Sequence, residues 1–332
     1  MTRAGTRMEL PAPGTVHVWH AALEPPDVRW QELAATLAPD ERERVARLRP
    51  GPHRQRFVAG RGLLRVILGA YLGSDPGRVP LAYGAAGKPH LAGTAAALAF
   101  NLSHSDGLAV CAVAVDREVG IDVERLRPIP DMLEIAACCF SARERAFLAW
   151  LDDAERVGAF FRAWTRKEAW LKATGCGLPL GPERVEVTMA AGEPPRLLGV
   201  AGLADAPRRW SLHDLSLRPG YVAALAVSDP VRRCLCRAWP WCGSPLPGAG
   251  LPGPAPARLA RRFRTEHHDR VGGRVGQLVE RGAVDCRERV AGLVEARVVG
   301  LVGGAAEQLR FLGRLQLAVA GDKAARRHAV LD

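Results

Sequence analysis

The chain has 332 residues, 48% of them apolar and 24% charged, with a formal charge of +11, which is enough apolar chain for a core in one large or two small domains. No apolar run reaches the roughly 20 residues of a membrane-spanning helix, and the first residues lack a charged-then-apolar leader; the expectation is a cytoplasmic protein without a membrane partner. Residues 231–332 carry 17 Arg and one Lys against nine acids, a net +9, whereas residues 1–230 carry 28 basic and 26 acidic residues, a net +2, so the basicity belongs to the tail. That tail is poor in aromatic side chains on which bases stack, which argues against nucleic acid.

In chain order, Pro39-Asp40-Glu41-Arg42 opens a helix with acids in its first turn, and Phe57, Leu64, Ile67, Leu68, Tyr71 and Leu72 recur at helical spacing over residues 56–72, predicting a buried helix. Strand-like runs follow at 96–102, 108–115 and 119–124, with turns at Gly107 and at 116–118. Ser141 and Glu144 form the pattern of a capping box, and residues 155–172 read as a second amphipathic helix ended by Gly175 and Gly177. Further strands are expected at 184–189, 196–200, 210–217 and 221–227. The two helical blocks rhyme: at an offset of 103, Glu41, Arg42, Phe57 and Leu68 match Glu144, Arg145, Phe160 and Leu171. Short connections favour antiparallel hairpins, so the expected fold is α+β, with two pseudo-symmetric α+β halves (residues 1–125 and 126–228) side by side and a cleft between them. Residues 231–256, rich in Pro, Gly and Cys, read as a linker within a tail (229–332) of poor periodicity.

Three segments carry chemistry. In Gly120-Ile121-Asp122-Val123-Glu124, strand alternation sends both carboxylates to one face and Ile121 and Val123 to the other, an arrangement suited to a hard cation such as Mg²⁺ that also takes substrate phosphate. In the segment 160–172, Trp164, Glu168 and Lys172 share one helix face at i, i+4, i+8. In Phe100-Asn101-Leu102-Ser103-His104-Ser105, preceded by Gly87-Lys88-Pro89, a hydroxyl, an imidazole and a nearby ammonium can receive phosphate oxygens. The chain has only four lysines, and Lys88, Lys167 and Lys172 all fall in these motifs.

Together, Gly87-Lys88-Pro89, residues 100–105, Gly120 to Glu124, Trp164 to Lys172 and Pro219-Gly220-Tyr221 resemble the 4′-phosphopantetheinyl transferase superfamily, in particular its long two-halved members that serve peptide and polyketide synthases. The resemblance implies transfer of phosphopantetheine from coenzyme A to a serine of an acyl or peptidyl carrier protein, releasing 3′,5′-ADP. It implies Mg²⁺ held by Asp122, Glu124 and Glu168, coenzyme A phosphates met by Lys88, Ser103, His104 and Lys172, and an adenosine phosphate near Arg44 and Arg61. Glu41 departs from the pattern, standing where some relatives have a lysine. Glu168 is the expected general base, with Lys172 beside it in catalysis. The internal duplication implies a monomer, and the stretch from Met132 to Phe147, including Leu133, Ile135 and Phe140, is the expected carrier-docking surface. Two other readings stay open at this point: a different Mg²⁺-dependent phosphodiesterase or nucleotidyl enzyme, and a binding protein whose basic tail contacts nucleic acid.

Overall fold

The structure is a computed structural model that describes residues 7–25, 27–85, 87–93, 97–175 and 181–241; the expected tail beyond residue 241 lies outside the described residues. The chain opens with β1 (Thr15–Ala22), then α1 (Asp27–Ala35), α2 (Pro39–Arg47), α3 (Pro52–Leu72) and two hairpins, β2 (Leu81–Tyr83) with β3 (Pro89–Leu91) and β4 (Leu98–Ser105) with β5 (Leu108–Val115). A similar series follows: β6 (Val119–Arg125), α4 (Met132–Cys139), α5 (Ala142–Trp150), α6 (Asp153–Thr174), β7 (Val185–Val187), β8 (Leu197–Val200), α7 (Ala206–Arg209), β9 (Trp210–Asp214) and β10 (Tyr221–Ser228), with β11 (Arg233–Ala238) closing the described chain.

The duplication legible at four residue pairs is also present in the strand order. One sheet runs β11-β1-β5-β4 and the other β6-β10-β9, so β1-β5-β4 is repeated as β6-β10-β9. The strand β6, counted with the first half in the sequence, therefore opens the second repeat and hydrogen-bonds to β10.

The matched glutamates do matching work. The Glu144 carboxylate accepts from Ser141 N at 2.8 Å, and Ser141 Oγ accepts in return from Glu144 N at 3.3 Å, the expected capping box. Glu41 makes the first half of the same bond with Ala38 N at 2.8 Å. Each glutamate then neutralises a cation on the following long helix: Arg65 Nε lies 2.6 Å from Glu41, and Lys167 Nζ lies 2.6 Å from Glu144. All four side chains are buried, where an unpaired charge would be costly. Glu41 thus has a structural role in this chain.

Three apolar clusters order the layers. Phe57, Leu64, Ile67, Leu68 and Tyr71 of α3 pack on the outer face of the first sheet with Phe100, Leu102 and Cys111. Phe160, Trp164, Ala169 and Ala173 of α6 cover the outer face of the second with Ala224 and Ala226. Val16, Val18, Val110 and Ala112 meet Ile121, Val123, Ala223 and Leu225 between the two sheets.

One expectation is corrected here. The segment read as a linker from residue 231 contains β11, which pairs in parallel with β1 from Thr15↔Arg233 to His20↔Ala238. Its continuation is anchored too: Trp239 is buried in the first cluster, and Trp241 Nε1 donates to Ala22 O at 3.0 Å. Among the described residues, no helix is long and apolar enough to cross a membrane.

Candidate active site

The close approach of α6 to β6 begins with a missing side chain. A Cβ on Gly120 would lie 2.1 Å from Ala169 O and 2.3 Å from Ala173 N, so only glycine lets the helix backbone settle on the strand there. Strand alternation then acts as the sequence predicts, with Ile121 and Val123 entering the cluster between the sheets. Asp122 and Glu124 take the opposite face, and both are almost completely enclosed, at 0% and 1% exposure.

Each of these carboxylates is met by a serine from β4, in the other repeat. Ser103 Oγ donates to Asp122 Oδ1 at 2.9 Å, and Ser105 Oγ donates to Glu124 Oε2 at 2.7 Å. From α6, Lys172 Nζ reaches the same Asp122 Oδ1 at 2.6 Å and donates to Ser103 Oγ at 3.0 Å. Its side chain is 28% exposed, so the ammonium joins buried acid to solvent. Arg127 Nη1 stands 3.8 Å from Glu124 Oε2 on the outside.

The strand β6 is an edge of its sheet, and its outward backbone groups need partners. Side chains supply them. Asn101 Oδ1 accepts from Ile121 N at 2.8 Å, and Ser105 Oγ accepts from Arg125 N at 3.1 Å. Lys88 Nζ donates to Val119 O at 3.2 Å and to Ala173 O at 2.7 Å, tying the first repeat to the last turn of α6. Asn101 and Ser105 carry no signal of their own in the sequence, although their i, i+4 spacing around Ser103 on a strand mirrors Asp122 and Glu124 on its neighbour.

The structure separates some residues that the sequence grouped. His104 falls on the outer face of β4 with Phe100 and Leu102, opposite Ser103, because a strand alternates its side chains. The hydroxyl proton of Ser103, expected to face a phosphate, goes to Asp122. Glu168 is half-buried on α6 one turn before Lys172. The Cys139 thiol is pushed up to about 12, chiefly by burial and further by the charge of Glu168. Lys167 has no place in the site: its Nζ pairs with Glu144, donates to Pro182 O at 3.0 Å and to Val185 O, and lies 4.9 Å from the Phe140 ring. Burial there pushes its pKa down.

At the other end, Arg44 and Arg61 come together. Arg44 lies 5.0 Å from the Phe57 ring centroid and Arg61 5.9 Å from that of Tyr83. Arg44 has its pKa lowered by burial and by the charge of Arg61 beside it. Arg61 is 1% exposed, its Nε is 3.4 Å from Glu41 Oε1, and among the described residues neither Nε nor Nη1 has a hydrogen-bond partner. Two adjoining guanidiniums with donor capacity to spare suit a phosphate.

The docking stretch needs correction as well. Ile135 and Phe140 are core residues of the second repeat. The exposed apolar side chains nearby are Leu133 and, at 79% exposure, Trp150, whose ring lies 6.2 Å from that of the half-buried Phe147.

As for a metal, no group of three or more His, Cys, Asp or Glu side chains forms a ready metal site among the described residues. The pair on β6 still fits Mg²⁺ in chemical kind: two hard oxygen donors on one enclosed strand face, each held by a hydroxyl, match a cation that takes one or two carboxylates and completes its shell with water and phosphate.

Known proteins resemble this chain over both repeats. The 4′-phosphopantetheinyl transferase superfamily matches residues 118–226, and the N-terminal region of 4′-phosphopantetheinyl transferases matches residues 21–116, one match for each repeat. The 4′-phosphopantetheinyl transferase HetI of Nostoc sp. is 46% identical over 215 residues, covering 64% of this chain and 87% of its own. A phosphopantetheinyl transferase of Thraustochytrium sp. is 29% identical over 61% of this chain and 76% of its own, and Sfp of Bacillus subtilis 27% identical over 60% and 86%. The chain belongs to the 4′-phosphopantetheinyl transferase superfamily and is an enzyme of that class.

Proposed function

We propose that this transferase moves 4′-phosphopantetheine from coenzyme A to a serine of an acyl or peptidyl carrier protein at the junction of β4, β6 and α6, acting in the cytoplasm as a monomer. The observation that carries this assignment is the triangle of Lys172, Asp122 and Ser103, in which three elements from both repeats converge on one carboxylate oxygen.

In the proposed reaction the carrier serine Oγ attacks the β-phosphorus of coenzyme A. A new O–P bond forms, the P–O bond to 3′,5′-ADP breaks, and the serine proton passes to Glu168. Lys172 and Lys88 are assigned to the phosphates, where positive charge stabilises the leaving pyrophosphate oxygen as the bond breaks. Ser103 orients Asp122, so that Lys172 has a placed counter-charge. Arg44 and Arg61 are assigned to the adenosine phosphate. A Mg²⁺ ion held by Asp122 and Glu124 would, when bound, neutralise pyrophosphate charge. The carrier is expected to lay an acidic helix on Leu133, Phe147 and Trp150, beside the exposed Arg143 and Arg145.

Glu168→Gln tests the assignment of the base. The expected result is retained coenzyme A binding, measured by calorimetry, with transfer reduced by roughly 10²-fold or more, the upper part of what general-base catalysis contributes. Near-normal turnover of that variant would remove Glu168 from the mechanism.

A further inference from the structure

We infer that Ser105 is a positioning residue for the reaction, acting through Glu124; the inference rests on the proposed assignment of Glu124 to the metal. A serine hydroxyl has one proton and can donate it to one acceptor. Ser105 Oγ accepts from the backbone N–H of Arg125 at 3.1 Å, so its own proton is directed away from that backbone, and the acceptor it meets is Glu124 Oε2 at 2.7 Å. The backbone of β6 therefore orients a hydroxyl on β4, and that hydroxyl orients a carboxylate on β6 one residue before the donating N–H.

The arrangement repeats two residues earlier with a different donor. Ser103 Oγ accepts from Lys172 Nζ and donates to Asp122 Oδ1. The two serines thus form a ladder across the repeats, and they differ in what sets their direction: a side-chain ammonium for Ser103, a backbone peptide group for Ser105. The difference assigns them different work. Asp122 shares its serine with Lys172, whereas the serine that meets Glu124 is set by the backbone of β6. A glutamate has three side-chain torsions, and a charge-assisted bond to a buried hydroxyl restricts them. Arg127, at 3.8 Å and partly exposed, is too far and too wet to do this alone. Second contacts of this kind orient metal-binding groups, and their removal typically weakens affinity by 10- to 100-fold.

The test is binding of Mn²⁺, used as a spectroscopic probe, to the full-length enzyme in the presence of 3′,5′-ADP, followed by electron paramagnetic resonance for Ser105→Ala, Ser105→Cys, Ser105→Thr and Glu124→Gln. Ser105→Cys keeps the volume and loses the strong donor, so it stands in if the alanine variant folds poorly. The inference predicts that Ala and Cys weaken Mn²⁺ binding by about 10-fold or more and raise the metal concentration needed for half-maximal transfer, with kcat at saturating metal nearly unchanged, and that Thr restores binding. Weakened binding in Glu124→Gln with normal binding in Ser105→Ala and Ser105→Cys overturns the role of Ser105 alone. Normal binding in Glu124→Gln overturns the assignment of Glu124, and the role of Ser105 falls with it. Failure of Thr to restore binding in a folded protein also contradicts the inference.

Discussion

Lys172 Nζ stands 2.6 Å from Asp122 Oδ1, joining a partly exposed ammonium on α6 to a carboxylate on β6 that solvent does not reach. Removing the cation leaves Asp122 buried without its charged donor. Lys172→Met is therefore expected to lower transfer by about 10²- to 10³-fold, the scale of losing one preorganised charge at a reacting phosphate. It should also lower unfolding stability by roughly 2 kcal/mol, since a buried acceptor loses a charged donor. Steady-state kinetics and urea denaturation read the two effects separately. Turnover within a few-fold of the parent enzyme would take Lys172 out of the site.

Gly120 makes a sharper structural prediction. Its position under Ala169 and Ala173 leaves no room for a methyl group against backbone atoms, which cannot swing aside as a side chain could. Gly120→Ala should separate α6 from β6 and destabilise the fold by more than about 3 kcal/mol, the severe end of overpacking. Urea midpoints measure this, and a variant that unfolds like the parent would mean that the helix does not sit so close.

A pH effect follows from His17. Tyr71 Oη accepts from Trp19 Nε1 at 2.9 Å and shares a hydrogen bond of 2.7 Å with His17 Nδ1. Burial, with Arg237 nearby, pushes the His17 pKa below its ordinary 6.5 while Glu9 opposes the shift; burial likewise pushes the Tyr71 hydroxyl up to about 12, keeping it a donor. Because the folded pKa is depressed, the unfolded chain binds the proton first on acidification. The contribution to stability is fully present above pH 6.5 and is lost as pH falls through the folded value. Urea unfolding between pH 7.5 and pH 5, compared with His17→Gln over roughly that range, should show a steeper acid-side loss in the parent. Parallel pH profiles would refute it.

How far the sequence reaches can be judged residue by residue. The pairing of Glu41 with Glu144 was visible at a fixed offset because both do a local job, capping the helix that follows. Their cations, Arg65 and Lys167, were not, since nothing local says which side chain a buried acid will meet across a helix pair. The shared face of Asp122 and Glu124 follows from strand alternation alone. That same alternation separates His104 from Ser103, a consequence available in the sequence and missed by treating the segment as a strand end. Asn101 and Ser105 read as ordinary polar strand residues until the unpaired edge of β6 is seen beside them. The strand β11 escaped notice because its Arg- and Cys-rich sequence lacks a clean apolar alternation, and its parallel partner β1 lies at the opposite end of the described chain.

The most direct test of the central claim is the intact mass of an apo-carrier protein incubated with this enzyme, coenzyme A and Mg²⁺, with and without a chelator. The account predicts a chelator-sensitive gain of roughly 340 Da, one phosphopantetheine arm moved by metal-assisted chemistry. It also predicts that Asp122→Asn lacks this gain. An undiminished gain with Asp122→Asn, or one indifferent to the chelator, would contradict the site described here.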